Sequence, residues 1–284
     1  MRVLVTGAAG YVGTALQRAL LAAGHSVWAL SRRGRAVAGS HGVAADLLTA
    51  DLRPLVADVD AVVHLVGIIR EIPQAGVTFR RLHVDATRRL LEALADHPGP
   101  YVHMSALGTG PHGPSRYFQT KWEAEEWVRR ERPWATIVRP SLVFGGGAEF
   151  FNALRLLAKN PVVPVPGDGS APFDPVYRED LARAMTGMLT DPEARGETFE
   201  IGGPKRFTLD QLIDLAARSI GRHTPVPKIH LPLGAVAGIV RLGERFGGFP
   251  LTSDQLTMLQ VPNITEDRRW HRWVPNPTPP GKDL

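Results

Sequence analysis

The chain has no cysteine. Disulfides and thiolate-held metals are therefore excluded, and no metal site is expected. It has no apolar run approaching the ~20 residues that a membrane span needs. The nearest, Leu231 to Val240, is ended by Arg241, and a helix packed on the core is favoured over a membrane-facing or quinone-facing segment there. It also lacks any long run of one charge. The formal net charge is +5, but the basic residues are scattered without interleaved aromatics, so a solvated surface is expected and nucleic acid is not. A strand starting at residue 2 leaves no room for a leader, and a cytoplasmic location is expected. Two residue types are scarce. Only five of the 33 cationic residues are lysine, and there are four tyrosines, so each lysine or tyrosine in a suggestive place carries more weight.

What the chain does have begins at its first residues. Val3-Leu4-Val5 is a β-branched apolar run, and Thr6-Gly7-Ala8-Ala9-Gly10-Tyr11-Val12-Gly13 follows directly. Helical spacing continues through Leu16, Leu20 and Leu21. A strand, a glycine turn and a helix in this order suit a dinucleotide diphosphate. Gly7 permits the tight turn, Gly10 lets backbone approach the diphosphate, and Gly13 lets the helix pack close. The N–H groups of Ala9, Tyr11 and Val12 at the helix start then face the anion.

Short apolar runs alternate with amphipathic stretches along the first half. Strands are predicted at Val27–Leu30, Gly42–Ala45, Ala61–Val66, Tyr101–Met104 and Thr136–Val138. Helices are predicted at Phe79–Leu94 and Tyr117–Arg130. The alternation predicts an α/β fold, a doubly wound parallel sheet of Rossmann type with right-handed crossovers. Beyond Arg139-Pro140 the texture is rich in Gly and Pro. A helix near Arg178–Leu189, a strand at Thr198–Ile201 and a capping box at Thr208 and Gln211 are expected. The nucleotide domain is assigned residues 1–145 plus about 172–195. A smaller substrate-side region takes about 146–171 and 196–284, with few clear elements after 222. Trp270 and Trp273 are expected to anchor the tail or cover the site.

The second strand ends in Ser31-Arg32-Arg33. An acid there would accept hydrogen bonds from a ribose 2′-hydroxyl. Two guanidiniums suit a 2′-phosphate instead, so NADP(H) is favoured as cofactor, with NAD(H) second. Asp46-Leu47 stands either at the adenine edge or, for Asp46, as an N-cap of the next helix. Leu65, Val66 and Gly67 close the fourth strand where the backbone would pass the cofactor.

Tyr117 and Lys121 are four apart, so on a helix they share a face. Ser105 follows the fifth strand at the carboxyl side of the sheet, where open α/β folds hold ligands. Hydride transfer at a carbonyl needs a proton donor, and a phenol with pKa ~10 needs help near neutrality. An ammonium one turn away favours the phenolate, and a serine hydroxyl can polarise the substrate oxygen. That Lys121 is lysine in an arginine-rich chain fits a compact donor shared between a phenolate and ribose hydroxyls.

The glycine turn Thr6–Gly13, the pair Tyr117 and Lys121, and Arg139-Pro140 resemble an extended short-chain dehydrogenase/reductase over residues 1 to about 220. The stretches His64–Glu71, His83–Thr87 and His103–Gly108 are similar to an atypical branch, the one named for the nucleotide-binding accessory subunit of respiratory complex I. The resemblance implies Tyr117 as acid/base, Lys121 as its cofactor-binding partner and Ser105 as third member, with Ser115 a lesser candidate. It implies that Pro140 and Ser141 border the nicotinamide. His83 stands where extended reductases usually have asparagine, and a packing role for it is favoured over a catalytic one. The implied activity is NADP(H)-dependent oxidoreduction or epimerisation of an unidentified small molecule. The alternative is a protein that holds NADPH and turns nothing over. Monomer and homodimer both remain open.

Overall fold

The computed structural model describes residues 1–246 and 251–281. The chain runs β1 (Arg2–Thr6), α1 (Tyr11–Ala22), β2 (Ser26–Ser31), β3 (His41–Ala44), α2 (Arg53–Val56) and β4 (Ala61–His64). A π-helical stretch (Arg80–Asp85) leads into α3 (Ala86–Ala93), followed by β5 (Tyr101–Met104), α4 (Arg116–Glu131) and β6 (Thr136–Pro140). Next come β7 (Val143–Phe144), α5 (Glu149–Leu157), β8 (Val163–Pro166), β9 (Pro172–Phe173) and β10 (Val176–Tyr177). After α6 (Arg178–Thr190) and β11 (Thr198–Ile201) the chain continues through β12 (Phe207–Thr208), α7 (Leu209–Ser219), β13 (Lys228–Leu231), α8 (Leu233–Phe246) and α9 (Ser253–Met258).

Seven strands form one parallel sheet in the order β11-β6-β5-β4-β1-β2-β3. This is the doubly wound Rossmann-type sheet that the alternation predicts. Along β1 the side chains alternate as a pleat requires. Leu4 enters a cluster with Leu30, Val62, Leu90, Leu94 and Val128. Val3 and Val5, also fully buried, point to the opposite face, where α1 packs on α6. Each such side chain contributes roughly 1.5–3 kcal/mol by leaving water. Gly24, at φ +80°, stops α1 in a conformation that costs a glycine little.

Two predicted elements end differently. β4 stops at His64 rather than Val66, because the chain leaves the sheet after the amide of Leu65 donates to the Thr6 carbonyl. The helix expected over 79–94 begins as the π turn. Thr87 Oγ1 donates to the His83 carbonyl there, at 2.6 Å.

The chain divides into two compact units. The first is Met1–Pro140, Arg178–Ile201 and Asp267–Pro277; the second is Ser141–Tyr177, Gly202–Glu266 and Thr278–Leu284. The sequence boundary at 195/196 left Thr198–Ile201 outside the nucleotide domain. Those residues pair in parallel with Ile137–Pro140 as the seventh strand of the sheet. Among its described residues the second unit holds three strand pairs, β7 with β10, β9 with β12 and β8 with β13, and α5 packs on α7. The predicted capping box of α7 is present at Thr208 and Gln211.

After residue 222, where few elements were expected, the structure has β13, α8, α9 and a 3-10 turn at Arg269–Arg272. α9 carries a second capping box, Thr252 with Gln255. The expectation that Leu231–Val240 packs on a core is corrected. The segment is the end of β13 and the start of α8, and Val240 is its one fully buried side chain, with Ile239 57% exposed.

The tail segment 267–277 caps the sheet edge. The amide of Glu200 donates to the Asp267 carboxylate, and Arg269 Nη2 donates to the Thr198 carbonyl at 2.7 Å. These side chains occupy groups of the edge strand β11 that would otherwise invite pairing. Trp270 is fully buried, and Trp273 lies edge-on to Phe199. A Cβ on Gly187 would meet Trp273 Cδ1 at 2.4 Å, so α6 needs glycine there for the indole to lie flat on it. Trp270→Ala is expected to cost about 3–5 kcal/mol in denaturant unfolding through the cavity it leaves. A loss below about 1 kcal/mol would mean that the tail does not hold the sheet.

Candidate nucleotide and proton-transfer site

The first unit brings the glycine turn and the loops after β4 and β5 to the carboxyl ends of adjacent strands. Gly7 has φ +71°. A Cβ on it would sit 3.1 Å from the backbone of Leu65 and Val66, so the turn and the β4 loop touch main chain to main chain. A Cβ on Gly13 would lie 2.4 Å from the Gly7 carbonyl oxygen and 2.6 Å from that of Ala8. Helix α1 can approach only as glycine. Its N-cap is Gly10, no side chain caps it, and its first turn has no acidic residue. The first N–H groups and the positive end of the helix dipole are thus left open to an anion.

Gln17 supports this turn, and sequence reading missed it. Fully buried, it donates to the Ala8 carbonyl at 2.8 Å and accepts from the Val37 amide at 3.0 Å. The signal was a glutamine on the apolar side of α1. The guanidinium of Arg178 lies 4.7 Å from the ring centroid of Tyr11.

Ser31 Oγ accepts the Arg35 amide at 2.8 Å and so shapes the loop after β2. Arg32 and Arg33 are exposed, and among the described residues neither makes a hydrogen bond or ion pair through its side chain. Asp46 is not a helix N-cap, because α2 starts only at Arg53. Its carboxylate accepts the Leu48 amide at 2.8 Å, an Asx turn. Leu47 is buried, and Arg89 fixes this segment to α3 through the carbonyls of Leu47 and Ala50. In the loop after β4, Leu65 is buried, Val66 half-buried and Gly67 exposed. A Cβ on Gly67 would stand 3.0 Å from Lys121 Nζ, so glycine keeps that ammonium in reach of the loop.

Helix α4 positions Tyr117 and Lys121, the candidate proton-transfer pair. Ser115 is its N-cap, Oγ accepting the Phe118 amide, which assigns this serine to capping. Ser105 is buried beyond β5, and its hydroxyl lies 3.5 Å from Thr109 Oγ1. Tyr117 is 8% exposed, its ring edge-on to Phe79, His83 and Phe118 at 5.4–5.8 Å between centroids. Burial pushes the phenol up to about 12. Lys121 is 3% exposed, and Nζ donates to the Met104 carbonyl at 3.0 Å. Burial pulls its pKa down to about 8, against the opposing pull of Glu125. The expected lowering of the phenol by the ammonium is therefore not what governs this site; desolvation outweighs it.

His83 is buried. Its Nδ1 lies 2.9 Å from Thr120 Oγ1 on α4, and its Nε2 accepts the Ile68 amide at 3.2 Å. It ties the β4 loop to α4, the packing role favoured above. Burial and then Lys121 hold it well below the usual imidazole range. Behind it, Thr87 spends its hydrogen on the His83 carbonyl, so His64 donates from Nε2 to Thr87 and accepts from Thr6 at Nδ1. Glu125 is fully buried and receives two bonds from Arg139, at 2.9 and 2.7 Å.

Pro140 ends β6, paired with Ile201 of β11. In the second unit, Ser141 Oγ donates to Asn263 Oδ1 at 2.6 Å, and that oxygen also accepts the Leu142 amide. Among the described residues no cluster of His, Asp or Glu is arranged to hold a metal.

The arrangement has known parallels. A sequence profile of the NAD dependent epimerase/dehydratase family matches residues 3–202. NADH dehydrogenase (ubiquinone) 1 alpha subcomplex subunit 9, mitochondrial, of Arabidopsis thaliana is 31% identical over 226 residues, covering 76% of this chain and 55% of that protein. A ceramide reductase of Caulobacter vibrioides is 28% identical over 197 residues, covering 67% and 61%. The chain thus spans little more than half the length of these relatives. In fold it is similar to UDP-glucuronic acid 4-epimerase from Bacillus cereus, solved with UDP-glucuronic acid and NAD. The TM-score is 0.74 at 20% identity, over 98% of this chain and 95% of that one. With the glycine turn, the seven-stranded sheet and a profile match over most of its length, the chain belongs to the NAD dependent epimerase/dehydratase family.

Proposed function

We propose that this protein binds NADP(H) at the glycine turn and uses Tyr117 as acid/base in a reductase, dehydrogenase or epimerase reaction. The observation that carries this reading is the seating of Lys121. A buried ammonium is held at the end of β5 by the Met104 carbonyl, beside Gly67, on the same helix as a nearly buried Tyr117.

The fit to a dinucleotide rests on the uncapped start of α1 and on the close approach of α1 to the turn that glycine at positions 10 and 13 allows. Gly7, Ala9, Gly10, Tyr11, Val12 and Gly13 would hold the diphosphate. Arg32 and Arg33, exposed and without partners among the described residues, would take a 2′-phosphate, with Ser31 shaping their loop. Asp46, Leu47, Leu65, Val66 and Gly67 would border the adenosine half, Pro140 and Ser141 the nicotinamide. The bound cofactor supplies or accepts the hydride. Tyr117 gives a proton to the substrate oxygen or takes one from it. Lys121 holds ribose hydroxyls and stabilises the phenolate as it forms. Ser105 donates its hydroxyl hydrogen to the same substrate oxygen. A phenol at about 12 is a proton donor in the nucleotide-free site, which suits reduction of a carbonyl.

A second reading is favoured by that same phenol. With burial holding the phenol up at about 12, Tyr117 serves equally in a protein that only holds the nucleotide. The relatives named as subunits of mitochondrial NADH dehydrogenase fit that role, and the relative named as a ceramide reductase fits the first.

Tyr117→Phe separates the two readings. Turnover of a carbonyl substrate by the wild type is expected to fall about 10²–10⁴-fold in the variant with nucleotide affinity kept; undiminished turnover would remove Tyr117 from the chemistry. Replacing Arg32 and Arg33 together by alanine is expected to weaken NADPH binding about 10–100-fold, the loss of one or two charge-assisted contacts, and to leave NADH unchanged. Tighter binding of NADH than NADPH by the wild type would contradict the cofactor assignment. Lys121 donates as the ammonium, and its folded pKa is depressed to about 8. Nucleotide affinity is therefore expected to hold below pH 8 and to fall as pH rises through it. Lys121→Met should flatten that profile, and a profile unchanged in the variant would count against the role.

A further inference from the structure

The second unit is the smaller of the two, yet it carries eight of the twelve large apolar side chains left exposed among the described residues. Six of the eight, Leu233 at the start of α8 included, lie on α5, β13 and α8. Leu156 and Leu157 end α5, Ile229 is on β13, and Ile239 and Leu242, 57% and 60% exposed, are on α8. The pieces are joined. Arg222 Nη1 donates to the carbonyls of Ala158 and Asn160, just past α5. β13 runs beside β8 and enters α8 through Pro232. On α8, at about 100° per residue, Ala235, Gly238, Ile239 and Leu242 share the outward arc, while Val240 faces inward, fully buried. An amphipathic helix of a globular domain turns its polar side outward. Here the outward side is apolar.

Cations outnumber carboxylates along this part of the chain, although Lys228 is paired with Asp214. Between residues 218 and 245 the sequence has five arginines and lysines against one carboxylate, Glu244. Glu244 is engaged by the Ser253 amide and hydroxyl. Lys159 beside Leu157, Arg218 at the end of α7 and Arg241 beside Leu242 are exposed. Among the described residues their side chains make no hydrogen bond or ion pair. Aliphatic groups flanked by free cations complement a surface with anionic heads over hydrocarbon. A second copy set face to face would oppose these cations to themselves. α8, with 14 residues, is about 21 Å long at 1.5 Å per residue, short of a hydrocarbon core of roughly 30 Å.

We propose that α8 and its apolar neighbours lie flat on an anionic lipid bilayer. Ile239 and Leu242 enter the headgroup–acyl boundary, and Arg241, Arg218 and Lys159 contact the headgroups. The surface lies within the second unit and stands apart from the nucleotide reading.

The test is co-sedimentation of the full chain with vesicles of phosphatidylglycerol and phosphatidylcholine, or of phosphatidylcholine alone, at low and high salt. Binding is expected to the anionic vesicles, and to weaken about tenfold without the anionic lipid or at high salt. The double variant I239S/L242S should also bind about tenfold less, with an unchanged circular dichroism spectrum, because both side chains are exposed. No binding to anionic vesicles would overturn the proposal. So would undiminished binding by I239S/L242S, or light scattering showing a wild-type dimer that this variant dissociates.

Discussion

An ammonium group taken out of water organises the candidate site. Lys121 is almost wholly buried, and its one acceptor among the described residues is the Met104 carbonyl at the end of β5. Such a charge is costly unless it is satisfied. The structure meets that cost from three sides. The β5 carbonyl faces the ammonium, Gly67 leaves it room from the β4 loop, and buried Glu125 one turn further along α4 supplies opposite charge. Arg139 and Arg129 in turn hold Glu125. Two strand ends and one helix are thereby tied to a single side chain, and on the proposed reading a nucleotide's hydroxyls would complete its remaining donors.

Burial acts on the two members of the pair in opposite directions. It favours the neutral form of each, so the phenol rises to about 12 and the lysine falls to about 8. At neutral pH the phenol is neutral, while Lys121 still carries most of its charge. A bound nucleotide that gives Lys121 hydroxyl partners stabilises its charged form, and a charged Lys121 makes the phenolate easier to reach. On the proposed reading, cofactor binding and proton transfer would be coupled through this one group. His83 adds to this, because it bonds both the β4 loop and Thr120 of α4.

Much of this was legible in the sequence because backbone constraints leave single-residue marks. Gly7, Gly10 and Gly13 stand where a Cβ would strike main chain, and the apolar runs gave six of the seven sheet strands in order. Tyr117 and Lys121 were found by spacing and scarcity. Their pKa shifts were not, since helical spacing fixes a shared face but not how far water is excluded from it. Gln17 was missed because a buried glutamine reads as an ordinary helix residue until its carbonyl and amide partners are known. The seventh strand, Thr198–Ile201, was seen as a strand but set in the other region, since its partner lies some 60 residues earlier in sequence. α8 was misread as core for a plain reason. An apolar helix face looks the same in sequence whether protein covers it or not.

Lysine is rare in this chain, five residues in all, which makes Lys121 directly observable. NMR titration of the protein carrying ¹³C at lysine Cε, with and without NADPH, addresses the site most directly. The account expects one lysine titrating near pH 8 in the free protein, and that resonance shifting to a higher pKa when NADPH is added. Five lysines all titrating near the ordinary value of about 10.4, or a resonance indifferent to nucleotide, would contradict it.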